Sequence, residues 1–330
     1  MADDETNISL TMDDFRITSV SNPIRKLGVP ALPNPLGLLA ELKGEWHGTG
    51  FNQIWRPLFS TPASDHFLEL NETKEVLQFM EIPGDIPNRG FLQIDIELHG
   101  LTYLQKINDA NVKQNGKLAG IHIEPGIWIR IPATTNPSDP ETVTRMASIP
   151  HGTTIVAQGT ASSLNGPLPP FPTVDITPFA IGNPAAKVPF PNEQTLSNPS
   201  QFRTASGDIP HVVQAWLDNP NVVLANAIAG KKIKSFVVLQ IATSPDPSAA
   251  TPPPPPPPPP PTSGGGTSNI GFLQGAAGGP NAQDVQVNAT FWIEELDNGK
   301  HLLQYSQTVL LNFAPLSWPH VSVATLEKVK

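Results

Sequence analysis

Short segments in which apolar and polar residues alternate make up most of this 330-residue chain outside a proline-rich middle. Residues 91–98, FLQIDIEL, show the alternation most clearly, with leucine and isoleucine on one face and polar residues on the other. A period of two is typical of a β-strand that buries one face, so we predict a half-buried antiparallel strand here. Further strand candidates are 45–55, 67–80, 101–108, 119–131, 142–148, 153–160, 233–243, 286–296, 300–312 and 318–329.

These candidates are short, closely spaced and separated by Gly and Pro, which favours an antiparallel sheet over alternating strands and helices. We predict a mainly β fold, an antiparallel β-barrel of about ten strands with a proline-rich, partly helical insertion. The expected order is an irregular N-terminal lead-in at 1–37, the first part of the barrel at 38–160, the insertion at 161–231, and the last barrel strands at 232–330, interrupted by a polyproline and glycine linker at 244–268.

The insertion contains the best helical candidate, residues 208–229. Asp208 can cap its N-terminus, and Gly230 followed by two lysines is typical of a C-terminus. Pro220 lacks a backbone N–H and clashes with the preceding turn, so we expect it to divide the segment into two short helices. One further helical turn is expected at 36–42.

The charge and the cysteine count exclude several classes of protein. Twenty Lys and Arg against 29 Asp and Glu give a net charge of −9, without the basic face that nucleic acids or anionic membranes attract. No cysteine is present, which excludes disulfides, zinc–thiolate sites and cysteine nucleophiles. The N-terminal sequence is acidic and lacks the apolar segment of a signal peptide. We therefore expect a cytoplasmic protein that binds neither nucleic acid nor membrane.

Two of the eight histidines are candidates for chemistry. His320 begins the last strand candidate, and if it points inward then Ser322 and Ala324 do too. Such small residues leave room for a ligand inside a barrel, and a neutral imidazole above an apolar cavity is what a haem iron needs as its axial ligand. The alternative is a histidine of the core or the surface. His122 lies in a strand candidate next to Pro125, whose bend leaves the direction of the side chain open.

Four segments carry a resemblance to the nitrobindin family of haem-binding β-barrels, whose fold is similar to that of fatty-acid-binding proteins. The first is LLAELKGEWHGTG at 38–50. The second joins TYLQK at 102–106 to NGKLAGIHIEPGIWIRIP at 115–132. The third is the hairpin IPHGTTIVAQGT at 149–160. The fourth is the ending LLQYSQTVLLNFAPLSWPHVSVATLEKV at 302–329, which resembles the family's paired last strands, where a Pro-Leu-x-x-His segment carries the proximal haem ligand.

The resemblance implies haem b, with iron bound by His320 as the proximal ligand. It places His122 on the distal side of the pocket, and Ile149 and Leu310 at other positions that line the cavity. In relatives the ferric form isomerises peroxynitrite to nitrate and the ferrous form binds nitric oxide. One departure falls at 52–57, NQIWRP, where the family has Gly-Glu-Tyr-Pro-Thr. The pocket rim therefore differs from that of the family.

Three other functions remain open from the sequence. A barrel with small inward residues and few charges also suits a carrier of an apolar small molecule without iron. A peroxidase-like haem protein would need a distal acid–base pair, for which His122 and Arg130 are the visible candidates. The run of prolines at 252–261 would suit a scaffold that docks on a partner, or act as a plain linker. A homodimer is compatible with each of these.

Overall fold

The structure is a computed structural model that describes residues 34–58, 64–91, 93–149, 153–243, 286–313 and 315–329. Most of the N-terminal lead-in, and the whole polyproline and glycine linker, lie outside the described residues. The strands are β1 (Gly44–Leu58), β2 (Ser64–Glu81), β3 (Ile86–Asn88), β4 (Ile96–Gln114), β5 (Lys117–Ile131), β6 (Thr134–Thr135), β7 (Ser138–Asp139), β8 (Thr142–Ile149), β9 (Thr153–Asn165), β10 (Phe179–Ala180), β11 (Asn183–Lys187), β12 (Ile233–Ala242), β13 (Gln286–Leu296), β14 (His301–Phe313) and β15 (Leu316–Lys328).

Ten of these strands form a closed antiparallel barrel, as the sequence predicts. They pair in the order β1, β2, β4, β5, β8, β9, β12, β13, β14 and β15, and β15 pairs with β1 to close the sheet. Closure pairs both edges of the sheet, so the barrel has no open edge along these ladders. Successive side chains on each strand point alternately into the barrel and away from it. The register between strands therefore assigns every barrel residue to one of the two faces.

A 3-10 helix over Gly37–Leu42 packs against the interior of the barrel at the end where β1 begins. Leu39 and Leu42 are fully buried there, because their side chains join the apolar cluster that fills this end. The indole Nε1 of Trp46 donates a hydrogen bond of 2.7 Å to the carbonyl oxygen of Leu42. The helix and the indole together close this end of the barrel.

The chain between β9 and β12 packs on the outer wall. It carries β10, β11 and the helices α1 (Pro191–Gln194), α2 (Gln214–Asp218) and α3 (Asn221–Ile228). Their apolar residues form a second cluster with outward side chains of β1, β2 and β15, among them Trp55 and Val323. β10 also pairs with the first residues of β15, and Leu68 of β2 forms a parallel bridge with Arg203. The insertion is thus fixed to the strands that flank the barrel closure.

Two local predictions differ from the structure. The predicted strand at 91–98 begins only at Ile96, because Asp95 accepts hydrogen bonds from the Gly90 backbone N–H and from Arg89 and so holds a turn in its place. The predicted helix over 208–229 does contain two short helices on either side of Pro220. Asp208, however, ends a short 3-10 turn and does not cap α2.

Gly48 of β1 lies close against the backbone of β15. A Cβ at this position would stand 2.0 Å from the backbone oxygen of Thr325 and 2.6 Å from the Cα of Leu326. We expect Gly48→Ala to destabilise the protein by about 3 kcal/mol or more, because backbone atoms have to move to make room. Urea unfolding measures this loss as a lower midpoint concentration, with the dependence of the unfolding free energy on urea unchanged.

Gly120→Ala is the matched control in a strand, since its added Cβ meets only the Asn108 side chain at 3.7 Å. Its effect should stay below about 1 kcal/mol. Equal losses in the two variants would contradict the close approach at the barrel closure.

Candidate functional site

The interior of the barrel has a sealed half and an accessible half. Near the Gly37–Leu42 helix, inward side chains such as Trp46, Leu303 and Leu326 are fully buried. Further along the strands, other inward side chains are only half-buried; they are Ile54, His122, Ala147, Gln307 and His320. A side chain that points into a closed barrel reaches solvent only through the lumen. We call this accessible half of the interior the upper lumen.

His320 lies on the wall of the upper lumen. On β15 it is directly opposite Val309 of β14 and Ile54 of β1, and Val309 belongs to the interior apolar cluster. The next inward residues of β15 are Ser322 and Ala324, both small and buried. The imidazole therefore stands above two small side chains, on a strand fixed by pairing on both sides.

His122 also faces the interior, because its cross-strand partner is the buried Ile107 of β4. Its strand, β5, is four strands from β15 around the ten-stranded ring, so the two histidines come from nearly opposite walls. The Nε2 of His122 is 3.3 Å from Glu124 Oε2. A carboxylate can only accept a hydrogen bond, so this contact selects the imidazole form protonated on Nε2.

A buried ion pair separates the upper lumen from the sealed half. Arg145 of β8 donates from Nη2 to Glu124 Oε1 and from Nε to the Tyr103 hydroxyl, at 2.9 Å in the second case. The Tyr103 hydroxyl donates to Glu124, and Arg145 Nη1 donates to Gln307 Oε1 at 2.5 Å. Burial alone would raise the pKa of Glu124, but Arg145 beside it holds that pKa well below its usual value, at about 2. The pair is therefore fully charged at neutral pH.

A second buried carboxyl group lies nearby on β2. Glu75 Oε2 accepts hydrogen bonds from the Tyr305 hydroxyl at 2.7 Å and from Gln105 Nε2 at 3.2 Å. Its Oε1 accepts a bond of 2.7 Å from the Thr73 hydroxyl. Burial raises the pKa of Glu75, and the pKa of Tyr305 is raised in turn. These donors compensate a carboxyl group that has no cation paired with it in the described hydrogen bonds.

The other predicted site residues lie in different places. Ile149 is buried in the interior apolar cluster. Leu310 lies on the opposite face of β14 from Val309, and Val309 is the residue paired with His320. Arg130 does not meet His122, because it bonds to Glu141 and to the Pro35 carbonyl oxygen beside the 3-10 helix.

The cation connected to His122 through Glu124 is Arg145, which the sequence reasoning missed. A signal for it was present in the sequence. Arg145 alternates with Val143 and Ala147 in a strand candidate, so it shares their inward face. The same reasoning applies to Glu124, which is two residues from His122 on one strand. Neither residue is exposed by more than 2%.

Known proteins give no further guidance, since no family model and no curated protein matches the chain. In the described part of the chain, no group of three or more His, Asp or Glu side chains could hold a metal ion. A haem iron requires only one axial side chain from the protein, so it does not depend on such a group. None of the helices in the described ranges is long and apolar enough to cross a membrane.

Proposed function

We propose that this chain binds haem b in the upper lumen, with His320 as the axial ligand of the iron. The observation that carries the proposal is the position of His320 on an accessible interior wall, opposite Val309 and above Ser322 and Ala324. These residues would suit a porphyrin, because the imidazole would supply the nitrogen and the apolar neighbours Val309 and Ile54 would limit the access of water.

Haem, when bound, would supply an iron with an open coordination position for nitric oxide or peroxynitrite. Isomerisation of peroxynitrite to nitrate is the activity that the resemblance implies, and we propose it for this chain in the cytoplasm. His122 is the residue that would act on a small ligand from the facing wall. The contact with Glu124 keeps a hydrogen on Nε2 of His122 and fixes the orientation of the ring. The imidazole can therefore hold or orient a proton beside the ligand.

A haem titration of the purified chain tests the proposal. We expect His320→Ala to lose the Soret band of histidine-ligated haem and to weaken haem binding by more than about 100-fold. This loss is larger than the roughly 10–100-fold that follows from mutating a residue that only supports a ligand of the metal. Added imidazole should restore the band in this variant, because it fills the space of the missing side chain. His211→Ala is the matched control, since the His211 side chain is 74% exposed on the insertion. An unchanged band in His320→Ala would overturn the assignment.

The second candidate function is a carrier of an apolar small molecule without iron. It is favoured by the apolar residues Ile107, Ile149 and Val309, which are buried on the inward face alongside the two histidines. A chain that stays colourless through the haem titration but binds an apolar dye, and loses it on Val309→Asp, would support the carrier.

A further inference from the structure

Two asparagines form a polar pair on the interior wall next to His320. Asn52 of β1 and Asn71 of β2 are direct cross-strand partners, and Asn52 is also opposite Ser322 of β15. Asn52 is 3% exposed and Asn71 is 6% exposed. In the described part of the chain, neither amide oxygen Oδ1 has a hydrogen-bond partner. An unpaired buried carbonyl oxygen is unfavourable, so two of them on a directly opposed pair of residues require an explanation.

The orientation of the Asn71 amide is fixed by its neighbour Asp109. Asn71 Nδ2 donates to Asp109 Oδ2 at 3.0 Å, and Asp109 Oδ1 accepts the backbone N–H groups of Asn111 and Val112 at 2.8 and 3.0 Å. Turning the amide over would place a carbonyl oxygen against the Asp109 carboxyl oxygen, which is repulsive. The Asn71 Oδ1 is therefore held in place as a free acceptor.

The surroundings of the pair select the kind of group that it can bind. The unpaired groups are both acceptors, the Oδ1 atoms of Asn52 and Asn71, and the Asn71 amide is also bonded to the carboxyl group of Asp109. The one guanidinium in the neighbouring buried network, Arg145, already pairs with Glu124. A carboxylate ligand would add further acceptors beside the two unpaired amide oxygens, whereas a group with several N–H donors would satisfy both of them. Asn52 is two residues from Ile54 on the same face of β1, so the rest of the ligand would meet an apolar side chain there.

We propose that Asn52 and Asn71 form a binding subsite for a primary amine carried by an apolar molecule. An ammonium group has three N–H donors, enough for both amide oxygens and one further acceptor such as the Ser322 hydroxyl. The negative charge of Asp109 adds attraction for the positive charge. The subsite uses none of the atoms that would hold a haem iron, so a test on the chain without haem does not depend on the haem proposal.

Isothermal titration calorimetry of the full chain without haem tests the subsite. The ligands are 1-aminooctane, octanoate and 1-octanol, which share one apolar chain and differ at the head group. We expect 1-aminooctane to bind about tenfold more tightly than either of the others, the effect of one or two additional hydrogen bonds. Octanoate binding as tightly as the amine, or no binding of the amine, would overturn the proposal.

Asn52→Leu tests the residues at nearly constant side-chain volume. The variant should lose the tenfold advantage of 1-aminooctane while its affinity for 1-octanol changes less than twofold. It should also unfold at a higher temperature without ligand, because an unpaired buried acceptor is removed. Asn288→Leu, on the exposed outer face of β13, is the matched control. An amine preference that survives Asn52→Leu would exclude the pair as the subsite, and the comparison of ligands in the unchanged chain does not depend on the variant folding.

Discussion

Arg145→Met is expected to destabilise the barrel by about 3–5 kcal/mol at neutral pH, the effect of leaving a buried charge without its partner. The Arg145 and Glu124 side chains are only 2% and 1% exposed, so water cannot take the place of the lost guanidinium. Tyr103 and Gln307 would lose a hydrogen-bond partner as well. The free energy of urea unfolding measures the loss.

The loss of stability in Arg145→Met should depend on pH, whereas the loss from a simple packing defect should not. In the native chain the pKa of Glu124 is about 2, below its usual value, so the ion pair stabilises the fold at neutral pH and is lost as the pH falls towards 2. Without Arg145, the strongest influence that lowers the pKa of Glu124 is removed, and burial then raises that pKa. The penalty of Arg145→Met should therefore shrink between pH 7 and pH 4.5.

Two further variants serve as controls for the ion pair. Arg89→Met removes an exposed pair with Asp95, whose side chains are 54% and 50% exposed, and should change stability by less than about 1 kcal/mol. The double variant Arg145→Met with Glu124→Gln should recover much of the loss, because no buried charge remains. Equal losses for Arg145→Met and Arg89→Met would contradict the buried network.

The alternation of residues was sufficient to predict the barrel, because a period of two identifies strands without reference to their partners. It also predicts that His320, Ser322 and Ala324 share one face of their strand, and the structure shows that this face is the inward one. It was insufficient at 91–98, where the side chain of Asp95 competes with the strand by bonding to the local backbone. Such competition depends on which turn the chain adopts, and the pattern of apolar residues does not contain that information.

The contacts of the site were harder to predict than its strands. Glu124 and Arg145 are 21 residues apart, and they meet only because β5 and β8 are neighbours across the intervening β6–β7 hairpin. Arg130 is nearer to His122 in sequence, but its strand carries it to the sealed end. Asn52 lies in the segment 52–57, where the resemblance to the nitrobindin pattern fails, and only the pairing of β1 with β2 places it beside Asn71.

Glu294 is a carboxyl group from which we expect a large pH effect on stability. It lies on the outer face of β13 and is fully buried, and within the described residues neither of its carboxyl oxygens has a hydrogen-bond partner. The neighbouring Gln304 instead donates to the Leu224 carbonyl oxygen of α3, at 3.0 Å. Burial raises the pKa of Glu294 to about 8, despite the opposing effect of Lys231.

This raised pKa makes the folded protein less stable as the pH rises. Below about pH 4.5 the carboxyl group is protonated in both states and has no effect. Between about pH 4.5 and 8 the unfolded chain releases a proton that the folded chain retains, so the free energy of unfolding falls. Glu294→Leu should therefore raise stability at pH 7 by about 2–3 kcal/mol, and by less at pH 5.

Urea unfolding at pH 5, 7 and 8.5 measures the difference between Glu294→Leu and the native chain. The difference in the free energy of unfolding should widen as the pH rises, because only the native chain carries the buried carboxyl group of Glu294 that titrates. Glu295→Leu is the matched control, since the neighbouring Glu295 pairs with Lys234 at 2.7 Å and its pKa is lowered. A difference that stays constant with pH would mean that Glu294 is ionised in the folded state. The contact between α3 and the barrel wall would then have to accommodate a buried charge.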